Sequence, residues 1–130
     1  MVATATMLVA AIATVETVAA AGASAAAVKP TQLVLTVAKG ESGKPATSRA
    51  SLRCRPAGGS HKQARDACTA LAKVGGDFAR LTGEGGACTM QYDPVTVTAA
   101  GRWKGKRVNY KKTYGNACSL TTTTGPVFSL

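Results

Sequence analysis

Apolar and polar residues alternate in several short stretches of the chain, and this period of two is typical of β-strands. Between residues 49 and 55 the alternation places Ala50, Leu52 and Cys54 on one face. Other stretches are rich in β-branched and aromatic residues, which favour strands. The segments that we predict as strands are residues 33–37, 49–55, 95–98, 102–114 and 127–130.

The predicted strands 95–98 and 102–114 form a hairpin, with a tight turn at Ala100-Gly101. In the return strand 102–114, Val108, Tyr110 and Tyr114 share one parity and Trp103 has the other. A bulge near Gly105 would return Trp103 to their face, because an extra residue shifts the alternation by one. Regular pairing through Gly105 would contradict the bulge.

A helical spacing appears between the second and third strands. Ala64, Cys68, Leu71 and Ala72 recur at intervals typical of one helix face, and Gly75-Gly76 ends the pattern after about Val74. We expect Ser60 to cap this helix, with Gln63 as the partner in a capping box.

A second, shorter turn of helix is predicted at residues 77–81, with Phe78 and Leu81 facing inward, and a polar loop at residues 121–124. This order predicts an α+β fold: an antiparallel sheet of about five strands, with one main and one short helix packed on one side and two disulfides.

Residues 1–27 differ in kind from the rest. They are mostly Ala, Val, Thr, Ile and Leu without Lys or Arg, and residues 7–15 are long enough for the apolar core of a signal peptide. We therefore predict a signal peptide at 1–27, a secreted domain at 28–130, and no membrane association after the leader is removed. Glu16 and the uncharged start fit this less well, and the alternative is an N-terminal helix of the folded domain.

Four cysteines, Cys54, Cys68, Cys88 and Cys118, follow the predicted leader. An even number in a small exported domain indicates two disulfides with three possible pairings, of which we favour the sequential one. Zinc is the competing interpretation, but there is no C-x-x-C pair and His61 is seven residues from the nearest cysteine. We expect no metal and no cofactor.

The residues available for catalysis are few. His61, the single histidine, lies at a predicted helix start among polar residues, where a solvated side chain is the expected outcome. The acids outside the leader form no evident pair of catalytic carboxylates. The sequence has neither the G-x-x-x-x-G-K-[ST] loop nor the G-x-G-x-x-G turn that bind phosphate groups. We therefore predict that the protein is not an enzyme. The acids in question are Glu41, Asp66, Asp77, Glu84 and Asp93.

The chain carries a net charge of +10, and loss of residues 1–27 would remove only Glu16 and leave +11. Six basic residues lie close to Trp103 and Tyr110, a combination that can hold a nucleic-acid strand. In a regular strand these charges would fall on both faces, so we favour an ordinary solvated surface and expect no nucleic acid. The six are Arg102, Lys104, Lys106, Arg107, Lys111 and Lys112.

The segment from Gly83 to Pro94 has the features of a rigid exposed loop. A glycine-rich run precedes Cys88, Met90 follows two residues later, and Asp93-Pro94 restricts the backbone behind it. A rigid loop that presents one bulky residue is typical of a protease ligand. An ordinary surface loop is the alternative.

Several motifs in this order resemble the Streptomyces subtilisin inhibitor family from about residue 30 to the end. The matching motifs are Leu33-Val34-Leu35-Thr36-Val37 with Lys39-Gly40, Val74-Gly75-Gly76-Asp77, Cys88-Thr89-Met90-Gln91-Tyr92-Asp93-Pro94, Trp103-Lys104-Gly105-Lys106-Arg107-Val108 and Val127-Phe128. All four cysteines are in place.

The resemblance implies a secreted, dimeric inhibitor of subtilisin-like serine proteases, with the cysteines paired 54–68 and 88–118. It places the reactive bond between Met90 and Gln91 and pairs the protomers through their sheet faces. The implied loop contacts are Gly86, Ala87, Cys88, Thr89, Tyr92 and Asp93. The chain departs from the family at Thr89, where proline is frequent, in a slightly shorter glycine-rich approach, and in its positive charge. The alternative function is a secreted basic protein that binds nucleic acid or anionic surfaces through residues 102–112.

Overall fold

The structure, a computed structural model, describes residues 3, 10–14 and 29–130. Most of the predicted signal peptide at 1–27 lies outside the described residues. Within the described part, no helix is both long and apolar enough to cross a membrane.

A four-stranded antiparallel sheet forms the centre of the fold. Its strands are β1 (Thr31–Lys39), β2 (Ser48–Cys54), β3 (Val95–Trp103) and β4 (Lys106–Tyr114). They lie in the order β2-β1-β3-β4, so that β1 pairs with both β2 and β3. The α+β antiparallel architecture is therefore confirmed, with four strands where the sequence predicted about five.

Three helical segments pack on one face of this sheet: α1 (Ala64–Lys73), a single 3₁₀ turn (Phe78–Arg80) and α2 (Ala117–Thr124). Alternate strand residues face them and are excluded from water, among them Leu33, Leu35, Leu52, Val97 and Ala99. The helical side contributes Leu71, Phe78, Leu81, Leu120, Val127 and Phe128 to the same core. The other sheet face, which we call the open face, carries mostly polar side chains.

The β3–β4 hairpin turns at Lys104-Gly105, and the predicted turn at Ala100-Gly101 is wrong. Lys104 and Gly105 have φ of 46° and 83°, and positive φ at both central residues is what a two-residue hairpin of matching twist requires. Trp103 pairs with Lys106 and is buried, so no bulge is needed to bring it to the core face. The predicted strand 102–114 therefore begins only at Lys106.

Glycine is frequent in tight turns, which is why the sequence predicted a turn at Gly101. Gly101 lies inside β3, where a side chain would collide with β1: a Cβ atom there would be 2.2 Å from the carbonyl oxygen of Gln32. The glycine serves close packing of two strands rather than a change of direction.

The C-terminal region also differs from the prediction. Residues 121–124, predicted as a polar loop, belong to α2, whose threonine hydroxyls donate back to carbonyl groups one turn earlier, as Thr124 does to Leu120. Residues 127–130 form no strand; Val127 and Phe128 fill the core from an irregular segment. The apolar residues that predicted a strand there are buried in the core without pairing to another strand.

The start of α1 is built differently from the predicted capping box. Gln63 is the N-cap residue and makes no side-chain capping bond, while the Ser60 hydroxyl accepts a 2.9 Å bond from the Ser51 amide of β2. The buried positions of α1 are Ala67 and Leu71, and Ala72 is exposed. The predicted inward turn at Phe78 and Leu81 is present.

His61 is buried, with 5% of its surface exposed, so its predicted solvation is wrong. Its Nδ1 accepts a 2.9 Å hydrogen bond from the Gln63 amide, and its Nε2 lies 2.8 Å from the Val127 carbonyl oxygen. These partners require a neutral ring with the proton on Nε2. The histidine therefore ties the α1 start to the C-terminal segment.

Candidate functional site

Residues 81–94 connect the 3₁₀ turn to β3 without regular secondary structure. A connection of this length in a small domain usually has a function. Met90 lies within it and is 97% exposed, which makes it one of the few large apolar side chains that the described chain leaves in water. We call residues 83–94 the reactive loop, after the reactive bond predicted between Met90 and Gln91.

A disulfide fixes the first half of this loop. Cys88 is bonded to Cys118 in the first turn of α2, with 5.8 Å between their Cα atoms. The second disulfide joins Cys54 at the end of β2 to Cys68 on α1. The structure thus has the sequential pairing, and one of its two bridges ends two residues before Met90.

Asn116 supports both sides of Met90. Its Nδ2 donates to the carbonyl oxygen of Thr89 at 3.1 Å and to that of Gln91 at 2.9 Å. Its Oδ1 accepts a 2.8 Å hydrogen bond from the Ser119 amide, as expected of the N-cap residue of α2. Because the cap fixes which side-chain atom is the oxygen, the nitrogen must face the loop.

Backbone hydrogen bonds hold both ends of the reactive loop. On the approach, the Gly85 amide donates to the Thr122 carbonyl of α2 at 3.2 Å. Behind Met90, the Asp93 amide donates to the Gly115 carbonyl at 2.8 Å, and the Pro94 carbonyl accepts from the Gly40 amide at 2.7 Å. The loop is therefore tied to α2 on one side and to the end of β1 on the other.

Tyr92 has a side-chain partner from a distant part of the chain. Its hydroxyl donates to the carboxylate of Glu41, which follows β1. That hydrogen bond raises the pKa of Tyr92 above its ordinary value. The connection between β1 and β2 reaches the loop because it folds over one end of the open face, where the Thr96 hydroxyl donates to the Gly40 carbonyl at 2.7 Å.

The predicted site residues lie together in this loop. Gly86, Ala87, Thr89, Gln91, Tyr92 and Asp93 are exposed and Cys88 is half-buried. The sequence missed the two supports that come from elsewhere, Asn116 and Glu41. Asn116 offered one signal, since asparagine is among the residues most often found at a helix N-cap.

The six basic residues of the second hairpin are divided between the two sheet faces. Arg102, Arg107 and Lys111 have the parity of the open face, whereas Lys106 and Lys112 have the parity of the core face. Lys104 lies in the turn. They form no single stripe along the strand. Among the described residues, no group of three His, Cys, Asp or Glu side chains could hold a metal ion.

Comparison with known proteins identifies the family. The sequence model of the subtilisin inhibitor-like family matches residues 29–116. Subtilisin inhibitor-like protein 5 of Streptomyces fradiae is 49% identical over 104 residues, which are 77% of this chain and 97% of that protein. Protease inhibitor SIL-V2 of Streptomyces orinoci is 45% identical over 104 residues, covering 77% and 95%.

The fold also resembles a solved inhibitor. The crystal structure of Streptomyces caespitosus sermetstatin in complex with Bacillus licheniformis subtilisin matches with a TM-score of 0.66 and 34% identity. The match covers 78% of this chain and 99% of that chain. Sequence and structure agree, and the chain belongs to the subtilisin inhibitor-like family.

Proposed function

We propose that this protein is an inhibitor of subtilisin-like serine proteases that binds as a substrate does, with its reactive bond between Met90 and Gln91. Its relatives are named as subtilisin and protease inhibitors, and the similar solved inhibitor is bound to subtilisin. The exposed Met90 on a loop held at both ends supports the same function.

Met90 enters the primary specificity pocket of the protease, with Thr89 and Cys88 before it and Gln91 and Tyr92 after it. Burial of a methionine side chain contributes about 1.5–3 kcal/mol, which is too little for a tight complex. The larger contribution comes from preorganisation, because a loop that is already fixed loses little conformational entropy on binding.

The hydrogen bonds of Asn116 explain how a cleavable bond survives. When the protease serine attacks the Met90 carbonyl, the peptide bond to Gln91 breaks: Met90 becomes an acyl ester on the serine, and Gln91 carries the new amine. Asn116 holds the carbonyl oxygens of Thr89 and Gln91, one on each side of the cut. The amine therefore stays beside the acyl group, and religation is intramolecular with a high effective concentration.

This double contact of Asn116 is the observation that carries the proposal. The test is titration of subtilisin with the purified, disulfide-bonded protein, followed by residual activity and mass spectrometry. We expect stoichiometric loss of activity with slow cleavage at Met90–Gln91 only. Rapid digestion, or full protease activity at equimolar inhibitor, would overturn the proposed function.

The same function and the covalent structure support secretion. Two disulfides in a domain of about 100 residues are typical of an oxidising, extracellular compartment. We place the export signal in residues 1–27 and the inhibitor domain in residues 28–130. Mass measurement of the protein recovered from culture medium gives the cleavage point, and recovery only from cytosol would contradict export.

The open face is where a second copy of the chain would dock. Its centre is small and uncharged: Val34 pairs with Ala100, and Thr36 with Thr98. Basic side chains surround that centre at the edges, namely Arg49, Arg53, Arg102, Arg107 and Lys111. A homodimer formed through this face buries the centre and brings like charges together at its rim.

The rim charges make the dimer sensitive to salt, because added ions screen their repulsion. Light scattering should give twice the chain mass, with dissociation favoured at low ionic strength. Val34→Arg should give a monomer that still inhibits, whereas Ala72→Arg, an equal charge change at an exposed position of α1 on the other side of the sheet, should leave the dimer intact. A monomer at all salt concentrations would overturn this assembly.

A further inference from the structure

A cationic cleft lies at the end of the sheet where β1 begins. It has a volume of about 570 Å³, and four basic residues line it without any acidic residue: Lys29, Arg53, Arg55 and Lys104. Four like charges around one cleft repel one another unless an anion joins them. We call this the basic cleft.

Two of these cations sit in an unfavourable backbone conformation. Among the described residues that are not glycine, only Arg55 and Lys104 have positive φ, at 63° and 46°. Long side chains rarely adopt this conformation, whereas asparagine and glycine adopt it at lower cost. In the Lys104-Gly105 turn asparagine is the residue that the turn type favours. Such local strain is often found at functional sites, and both strained residues line the basic cleft.

The frame beneath the basic cleft is tightly connected. Arg53 and Gly58 exchange two backbone hydrogen bonds of 2.9 and 2.8 Å, and the adjacent Cys54 is bonded to α1. On the opposite wall, the Lys104 amide donates to the Thr31 hydroxyl at 2.9 Å. The aliphatic part of Lys29 packs against Gly105, whose amide donates to the Pro30 carbonyl at 3.0 Å. The four cations thus project from backbone that is already ordered.

We infer that the basic cleft binds an anion with two or more phosphate groups. Four cations exceed the charge of a single phosphate, whereas a short phosphate chain carries enough negative charge to pair with several of them. Guanidinium groups suit phosphate because they donate two parallel hydrogen bonds, and Arg53 and Arg55 supply two such groups. The ordered frame lowers the entropic cost of binding.

The basic cleft is remote from the reactive loop. It lies at the Thr31 end of β1, while the loop is tied to Gly40 just beyond the other end. Nine residues of strand separate these ends by about 27 Å. Anion binding should therefore leave protease inhibition unchanged, and a protein held through its basic cleft on an anionic polymer would still present Met90 to a protease.

Pyrophosphate is the probe for this inference. Isothermal titration should show stoichiometric binding, and the melting temperature should rise above that in sodium chloride of equal ionic strength, because a ligand that binds only the folded state stabilises it. Arg55→Asn and Lys104→Asn should each weaken binding about tenfold. Each should also keep or raise the melting temperature without the probe, because asparagine tolerates positive φ.

The control is the double variant Lys62→Gln with Arg65→Gln, which removes two exposed charges outside the basic cleft. It should bind pyrophosphate like the parent, whereas the double variant of Arg55 and Lys104 should not bind. Equal weakening in both double variants would mean diffuse attraction and would overturn the site. The site would also be overturned if pyrophosphate raised the melting temperature no more than sodium chloride does. Binding of long nucleic-acid duplexes without binding of pyrophosphate would overturn it too.

Subtilisin titration of the same variants separates this inference from the proposed function. Inhibition that persists while pyrophosphate binding is lost supports both. Inhibition that is absent in the parent as well would contradict the proposed function alone.

Discussion

The side-chain amide of Asn116 donates a 2.9 Å hydrogen bond to the carbonyl oxygen of Gln91, the residue that would carry the new amine after cleavage. The same nitrogen holds the Thr89 carbonyl on the other side of Met90. The residue that begins α2 is thus also the main polar support of the reactive loop. A substitution that keeps the cap on α2 and removes the bonds to the loop can therefore separate these two roles.

Asn116→Asp keeps an oxygen that can cap α2 and removes both donated bonds to the loop. Its carboxylate would also face two carbonyl oxygens. Loss of two hydrogen bonds worth about 1 kcal/mol each predicts an inhibition constant raised roughly 30-fold, with faster cleavage at Met90–Gln91. The free energy of unfolding should fall by no more than about 2 kcal/mol, the contribution of the two lost bonds, because aspartate keeps the cap on α2. Inhibition kinetics and urea denaturation measure the two effects.

Asn109→Asp is the matched control, since it makes the same charge change at an exposed position of β4. It should inhibit like the parent. Equal inhibition by both variants would remove Asn116 from its supporting role.

Met90 should determine which protease is inhibited. Met90→Gly removes the apolar side chain and should weaken inhibition of subtilisin by about 1.5–3 kcal/mol without altering the fold. Met90→Lys should move the preference toward trypsin-like proteases, whose specificity pocket contains an acid. Inhibition constants against both enzymes test this. Thr82→Lys, the same charge at an exposed residue before the loop, should cause no shift; unchanged preference in Met90→Lys would place the reactive bond elsewhere.

The two disulfides should have similar effects on stability and different effects on inhibition. They close loops with sequence separations of 14 and 30, and the chain-entropy estimate gives about 3 and 3.5 kcal/mol. Replacement of Cys88 and Cys118 by alanine should also release the reactive loop and turn the inhibitor into a substrate. Replacement of Cys54 and Cys68 should lower stability only.

Digestion by subtilisin, under conditions where both alanine variants remain folded, distinguishes them. Equal resistance to cleavage would show that the Cys88–Cys118 bond does not hold the loop for inhibition.

Tyr110 should make the protein sensitive to alkali. Its ring stacks on Phe78 with centroids 5.5 Å apart, and its hydroxyl is buried without a hydrogen-bond partner in the described part of the chain. Burial raises the pKa of Tyr110 well above 10. Above the pKa of the unfolded state, near 10, the Tyr110 hydroxyl ionises in the unfolded chain before it ionises in the folded one, so stability falls as the pH rises, by at most about 1.4 kcal/mol per pH unit.

Tyr110→Phe keeps the stacked ring and removes the unpaired hydroxyl. At pH 7 its stability should equal or exceed that of the parent by up to about 1 kcal/mol. Between pH 10 and 11 it should lose less stability than the parent. Urea midpoints at the two pH values measure this, and identical alkaline losses would contradict the effect of burial.

The sequence predicted those features that depend on local pattern. The alternation in β2, the helical spacing of α1 and the exposed loop around Met90 are all local, and the structure contains them. The wrong predictions concern residues whose structure depends on contacts with residues far away in the sequence. Gly101 is a glycine because β1 passes close to it, and residues 117–124 become a helix although threonine is a poor helix former, because Leu120 is buried and Asn116 caps the first turn. Likewise, Glu41 lies 51 residues from Tyr92, which local pattern cannot connect.

His61 is the clearest case in which a distant partner changes the interpretation of a residue. Loss of its ring in His61→Ala would leave the Val127 carbonyl and the Gln63 amide without partners and open a cavity. We expect a loss of about 2–4 kcal/mol in the free energy of unfolding. Lys62→Ala, at the exposed neighbouring position, should cost less than about 0.5 kcal/mol. Urea denaturation of the two variants measures this difference. Equal stability would mean that the ring does not join α1 to the C-terminal segment. The expected loss, together with normal inhibition by the protein that remains folded, would show that His61 supports the fold and not the reactive loop.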